Sequence, residues 1–201
     1  MKRVFIIHGW DGSPDEPMLR WLRRQLEEKG FSVIAPEMPI SDTPDIEVWI
    51  EKLKRAIKDP DEQTYFIGHS IGCQALLRYM EKLSLRVKVG GVIFIAPWIH
   101  LKPETFENEE VEEIAKPWLE TPINFDRIKM RFKKMVCVFS DNDPFVPLSD
   151  KDIFKEKLNA EIIVESKKGH FSPDDNVDEL PIALNKLIEI SKCQDRVKEK
   201  S

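Results

Sequence analysis

Six short apolar runs, rich in β-branched residues, alternate with amphipathic stretches along this chain, and that rhythm leaves little choice of fold. The runs are RVFIIH (3–8), SVIA (32–35), TYFIG (64–68), VGGVIFIA (89–96), MVCVFS (135–140) and EIIVE (161–165). Near-continuous apolar runs of this length suit strands covered on both faces, the condition of a parallel sheet. Between them lies helical spacing. In 17–30, Met18, Leu19, Leu22 and Leu26 share one face, and Gly30 supplies a stop. In 45–60, Ile46, Trp49, Ile50, Leu53 and Ile57 repeat the pattern before Pro60. Helical patterns over 71–83, 149–158 and 177–191 complete the set. Such alternation predicts an α/β fold: a parallel sheet with right-handed crossovers.

One stretch breaks the rhythm. Residues 97–131 show no strand pattern, carry Pro97, Pro103, Pro117 and Pro122, and combine a run of glutamates with Trp98, Phe106 and Trp118. An excursion this long between two strands is expected to be an active-site lid or binding loop. The alternative is a surface-packing helix whose aromatics fill gaps in the core. The stretch QDRVKEKS is expected as a polar tail over 194–201, which leaves a single domain over 1–193.

Composition narrows the class of function. A chain of 201 residues can bury a core without cross-links. Its net charge is -5, and it has no basic stripe to suggest a nucleic-acid partner. The longest uncharged apolar stretch, VGGVIFIAPWI, is too short to span a bilayer. The VFII that follows Lys2 and Arg3 is too short for the core of a signal peptide. The expectation is a soluble cytoplasmic protein with neither a nucleic-acid nor a membrane partner. Cys73, Cys137 and Cys193 are odd in number and far apart, which reads as free thiols in a reducing compartment. Cysteine and histidine show no metal-type spacing, and no cofactor is expected.

The chemistry-bearing stretch is Gly68-His69-Ser70-Ile71-Gly72, a G-x-S-x-G between a strand and a helix. In that context the motif is a nucleophile elbow. A sharp turn holds the serine hydroxyl away from the sheet, and the glycines two positions either side relieve the crowding. The Ile71 amide then lies at the helix N-terminus, free to donate to an oxyanion. A serine hydroxyl needs a base. Of four histidines, His8 ends the first strand and reads as a loop-shaping residue, His69 should point away from the Ser70 hydroxyl, and His100 opens the irregular segment. His170, in KKGHFSP after the last strand, stands where sites assemble at the carboxyl ends of parallel strands. It also completes the chain order serine, acid, histidine. The acid follows the preceding strand, where SDNDPFVP offers Asp141 and Asp143. Asp141 is near enough to the strand end simply to cap a turn, whereas Asp143 stands further out; the residues leave both in play. The second oxyanion donor is expected to be the Trp10 amide, in HGW after the first strand. Cys73, one turn into the helix, reads as a small core residue rather than a nucleophile.

Taken together, HGW, GHSIG, SDNDPFVP and GHF, with Met38-Pro39 and PINFDRIK (122–129), resemble the α/β-hydrolase superfamily. Within it they are similar to the small serine hydrolases of the retinoblastoma-binding protein 9 and YdeN type. The resemblance covers nearly the whole chain. It implies a three-layer sandwich around a six-stranded parallel sheet in the order 2-1-3-4-5-6, a minimal α/β-hydrolase lacking the first strands of larger ones. The family pattern S-x-x-D-P-F-x-P implies Asp143 as the acid. The implied activity is serine hydrolysis of small acyl esters, with amides or peptides as a further class. Binding of the retinoblastoma protein is not implied, because none of the cysteines sits in an L-x-C-x-E sequence. The rival reading is a non-catalytic interaction module on the same scaffold, its protein partner unknown.

The 97–131 segment also bears on substrate. Glu104, Glu107, Glu109, Glu110, Glu112 and Glu113 outnumber Lys102 and Lys116, and Trp98, Ile99, Leu101, Phe106 and Trp118 are candidates to wall a short pocket. The expectation is a preference for small uncharged or cationic acyl groups over anionic ones. The alternative is that the glutamates form a solvated outer face.

Overall fold

The computed structural model describes residues 1–198. Strands β1 (Arg3–Ile7), β2 (Ser32–Ile34), β3 (Thr64–His69), β4 (Gly91–Ile95), β5 (Met135–Ser140) and β6 (Glu161–Glu165) form one sheet in the order β2-β1-β3-β4-β5-β6. Every pairing is parallel. The register sets Val4 beside Val33 on one flank and beside Tyr65 on the other. The strand order reverses at β1 and β3, so the loops leaving these two strands diverge and open a crevice, where α/β sheets place their ligands.

Alternation along each strand divides the core into two layers. Phe5, Ile7, Phe66, Phe94, Cys137 and Phe139 face one side; Val4, Ile6, Ile67, Ile93, Val136 and Val138 face the other. The first layer packs on α2 (Ile46–Ala56), α3 (Ile71–Lys82) and α6 (Asp150–Leu158), the second on α1 (Pro17–Glu28) and α7 (Pro181–Lys198). The helices begin and end on local signals. Asp45 caps α2 by accepting from the Val48 amide at 2.9 Å. α1 ends where Gly30 turns to φ +83, with the Phe31 amide donating back to the Leu26 carbonyl.

Two stretches differ from expectation. The segment 97–131 is more regular than its prolines suggest: a 3-10 turn over Pro103–Thr105, then α4 (Glu109–Glu120) and α5 (Phe125–Lys129). Asn108 caps α4 by accepting from the Val111 amide, and Glu109, Glu110 and Glu112 sit in its first turn, where the helix dipole favours negative charge. Pro117 falls in the last turn. Secondly, α7 runs on through Lys198, well into the stretch expected as a polar tail; residues 199–201 lie outside the described residues. No helix among the described residues is long and apolar enough to cross a membrane.

Candidate active site

The turn from β3 into α3 is as sharp as the motif requires. Ser70 takes φ 52 and ψ -122, a conformation that a residue with a side chain adopts only under tertiary constraint. Its amide donates to the Ile95 carbonyl at 3.0 Å, and its carbonyl accepts from the Cys73 amide at 2.9 Å, so the backbone is held on both sides. The flanking glycines are required by space. A Cβ on Gly72 would lie 2.5 Å from the Ile7 carbonyl oxygen and 2.6 Å from that of His8, and one on Gly68 would lie 2.9 Å from the Cys73 nitrogen. The elbow therefore works only because helix α3 can touch the end of β1.

Across the carboxyl ends of the strands, His170 and Asp143 meet. His170 Nδ1 lies 2.8 Å from Asp143 Oδ2, with both residues buried. Asp143 Oδ1 accepts from the Phe145 and Val146 amides, each at 2.9 Å, and this orients the carboxylate. The Asp143 carbonyl accepts from Lys102 Nζ at 2.6 Å, which ties the acid loop to the base of the 97–131 segment. The His170 amide donates to Asp175 Oδ2, and the edge of Phe145 meets the His170 ring at 5.1 Å between centroids.

Asp141 does something else. Its two oxygens accept from the Lys167 amide at 2.7 Å and the Ser166 hydroxyl at 2.8 Å. These bonds, first the one from the Lys167 amide, hold its carboxyl below the usual range. Asn142 Oδ1 accepts from the Gly169 amide at 2.9 Å. Asp141 and Asn142 thus stitch the β5 loop to the β6 loop, and Asp143 alone of the three reaches the histidine ring.

A cleft of about 690 Å³ opens over these residues. Ser70, Ile71, His170, Gly9 and Trp10 all line it. Among the described residues, the Trp10 amide and the Ile71 amide at the start of α3 donate to no protein acceptor. The Trp10 indole instead donates to the Asp42 carbonyl at 2.8 Å, so its ring fixes the loop while its amide stays free.

From the 97–131 segment, Trp98, Leu101, Thr105, Glu107 and Val111 line the cleft. Trp118 does not. It is 1% exposed, donates its indole hydrogen to the Pro44 carbonyl and meets Trp49 edge-on at 5.9 Å. An indole buried this deeply needs an acceptor, and the core supplies one. Ile99 and Phe106 lie outside the lining as well, and of the seven glutamates in the segment only Glu107 reaches it. The segment is anchored at its start by Asp150. This buried carboxylate accepts from the Ile99 and His100 amides at 2.6 and 2.7 Å and meets the His100 ring at 2.7 Å.

His8, His69 and Cys73 are structural in their contacts. His8 accepts from the Met38 amide at Nε2 and donates from Nδ1 to the Gly9 carbonyl, which binds the Met38-Pro39 stretch to the end of β1. His69 is buried, and its Nε2 meets the His170 carbonyl at 2.9 Å. Burial pushes its pKa down to about 4. The Cys73 thiol is fully buried beside the Ile95 carbonyl and is pushed well up by burial, the opposite of an activated nucleophile. No group of three metal-ligating side chains occurs among the described residues. Among the cleft residues that the sequence did not single out is a half-buried carboxylate. Glu16, just before α1, reaches into the cleft with its carboxyl pushed up by burial. The available signal was the S-x-x-E spacing from Ser13, whose amide donates to Glu16 Oε1 at 3.2 Å.

Known proteins resemble this chain over most of its length. The family model described as "Serine hydrolase" matches residues 4–189. YdeN of Bacillus subtilis (strain 168) is 27% identical over 186 residues, covering 92% of this chain and 94% of that protein. The crystal structure of the B. subtilis ydeN gene product superposes with a TM-score of 0.85 over 94% of this chain and 98% of its own. Serine hydrolase RBBP9 of Rattus norvegicus is 27% identical over 165 residues, 82% of this chain and 78% of that protein. Est1E from Butyrivibrio proteoclasticus, at 16% identity and a TM-score of 0.67 over 94% of this chain and 88% of its own, shares the fold.

Proposed function

We propose that this chain, which belongs to the serine hydrolase family, is an acyl hydrolase working through Ser70, His170 and Asp143 by way of an acyl-enzyme. Ser70 attacks the substrate carbonyl. His170 Nε2 accepts the hydroxyl proton and delivers it to the leaving group, while Asp143 fixes the tautomer at Nδ1 and stabilises the imidazolium. The Trp10 and Ile71 amides receive the developing oxyanion, each worth on the order of 100-fold in rate. Water then enters by the same route in reverse and frees the acid. The observation that carries this reading is the 2.8 Å contact of Asp143 with His170 on the cleft that Ser70 borders.

The substrates are small acyl esters, with amides or peptides as a further class, and the acyl group is uncharged or cationic. The cleft charge supports this. Its acidic lining residues are Asp11, Glu16, Glu107 and Asp174, and the described lining includes no Lys or Arg. The chain acts as one α/β domain over 1–193, in which 97–131 is a lid-like insertion whose first half forms the substrate-facing wall.

The test is fluorophosphonate labelling followed by kinetics on a short aryl ester. Ser70→Ala removes both labelling and turnover. Ser70→Ala, His170→Ala and the double variant are about equally inactive, because the residues act as one unit. Labelling that survives Ser70→Ala, or losses that multiply in the double variant, would overturn the mechanism.

A further inference from the structure

Two hydrogen-bond acceptors confront each other in the cleft with no donor between them. His69 meets the His170 carbonyl through Nε2, so Nε2 carries the hydrogen and Nδ1 is a bare lone pair. That Nδ1 is buried without a partner, on a residue 4% exposed. Facing it at 3.9 Å is Glu16 Oε2. The separation is too long for a hydrogen bond, and with burial holding the imidazole neutral there is no ion pair either. A buried acceptor left unpaired is costly, and a desolvated carboxylate beside it more so.

The loop after β1 brings the two acceptors close to the nucleophile. A Cβ on Gly9 would lie 3.2 Å from His69 Nδ1 and 3.5 Å from Ser70 Cβ, so the Gly9 backbone passes close to both residues. A Cβ on Gly12 would collide with Glu16 Oε1. Both positions are thus cleared by glycine, and the gap belongs to the cleft that holds substrate.

We infer that Glu16 and His69 form a seat for a primary ammonium group on the acyl part of the substrate. An ammonium carries three donors, enough to serve Glu16 Oε2 and His69 Nδ1 at once, and its charge matches both Glu16 and the cation-free lining around it. A hydroxyl has one hydrogen and satisfies one of the two. A carboxylate or phosphate has none to give and is repelled. The inference rests on the acyl-hydrolase reading and narrows it: specificity is set by a short acyl chain ending in an amine.

The experiment compares kcat/KM for phenyl propionate, phenyl 3-aminopropionate and phenyl 3-(trimethylammonio)propionate in the wild type, Glu16→Gln and Asp174→Asn. Ratios between esters cancel any general change in activity. The amino ester should lead phenyl propionate by on the order of 10- to 100-fold, the range of a charge-assisted hydrogen bond. The trimethylammonium ester, charged but without N–H, should gain much less. Glu16→Gln should erase most of the lead and Asp174→Asn little of it. Equal preference for both cations, or an equal effect of the two substitutions, would mean a diffuse field and overturn the seat. Binding is read separately on Ser70→Ala protein carrying 15N-histidine, titrated with n-propylammonium chloride or n-propanol. The ammonium should move the His69 Nδ1 resonance upfield, more than the alcohol does. No shift overturns the seat even if the esters are turned over, and a shift without turnover keeps it while the acyl-hydrolase reading falls.

Discussion

Asp143→Asn is the substitution whose consequence the geometry fixes most closely. The carboxylate has two separate duties. Oδ1 accepts from two backbone amides at 2.9 Å, and Oδ2 faces His170 Nδ1 at 2.8 Å. An asparagine must place its carbonyl oxygen on one side and its NH2 on the other. Turning the NH2 toward the Phe145 and Val146 amides would leave two backbone donors facing a donor, at roughly 1–3 kcal/mol each. The carbonyl therefore stays with the amides and the NH2 turns to the ring. His170 Nδ1 must then be the lone pair and Nε2 the N–H, so Nε2 has nothing with which to accept the Ser70 proton. Reaching the productive tautomer means accepting the unfavourable rotamer, about 2–6 kcal/mol in all, so kcat should fall between roughly 30- and 10⁴-fold. The assay is kcat on a short aryl ester, paired with the downfield proton NMR signal of the His170 Nδ1–H, which the variant should lose. Asp141→Asn, whose partners are Ser166 and Lys167, should keep most of the turnover. If Asp143→Asn stays within a few-fold of wild type, or Asp141→Asn is the worse of the two, the acid has been assigned to the wrong residue.

Other expectations follow from single contacts. Gly72→Ala drives a methyl into the Ile7 and His8 carbonyls, so it should destabilise by about 1–3 kcal/mol and slow fluorophosphonate labelling; a melting temperature and labelling rate like those of wild type would contradict the packing described. His69 is fully buried with its pKa lowered to about 4 from 6.5, so the unfolded chain takes up a proton between those values that the folded protein refuses. Acidification through that window should therefore remove about 3 kcal/mol of stability, with His8 adding in the same direction, and urea midpoints at pH 7 and pH 5 should differ less in His69→Gln than in wild type. Arg78 is buried and its Nη2 donates to the Trp118 and Thr121 carbonyls at 2.8 and 3.0 Å, clamping the end of α4. Arg78→Met should speed proteolytic nicking within 97–131 ahead of the rest of the chain, and an unchanged cleavage pattern would show that the clamp is dispensable.

The sheet was legible because its four inner strands are buried on both faces, and burial on both faces writes an unbroken apolar run such as VIFI or MVCVF. The strand order was not in that signal. Parallel strands look alike from either neighbour, so the order came from the resemblance that GHSIG and SDNDPFVP carry jointly. The helices inside 97–131 were hard to read for two physical reasons. Pro117 and the glutamates masked a helical face built from Val111, Ile114, Ala115 and Trp118, although Asn108 was a readable cap. And an apolar face does not say what it packs against: Trp98 and Trp118 both join the core, but only Trp98 also lines the cleft. Motif order pointed to His170 and to the loop after β5, while the choice of Asp143 over Asp141 in that loop came from the resemblance. Glu16 was not legible, because its approach to His69 depends on Gly12 giving it room, a fact of three dimensions.

The strand order also decides how the enzyme fails. Ser70 follows β3, deep in the sheet, while the Asp143 and His170 loops follow β5 and β6, and β6 is the edge strand, with Val164 44% exposed. Edges open locally at far less than the free energy of global unfolding. When β6 frays, the stitching through Asp141 and Asn142 parts and the histidine is carried off its carboxylate, while the elbow keeps its shape between β1 and β4. Under mild denaturant the protein should pass through a state that is nearly all folded by circular dichroism and inert toward ester, with a serine that is still in place and has lost its base.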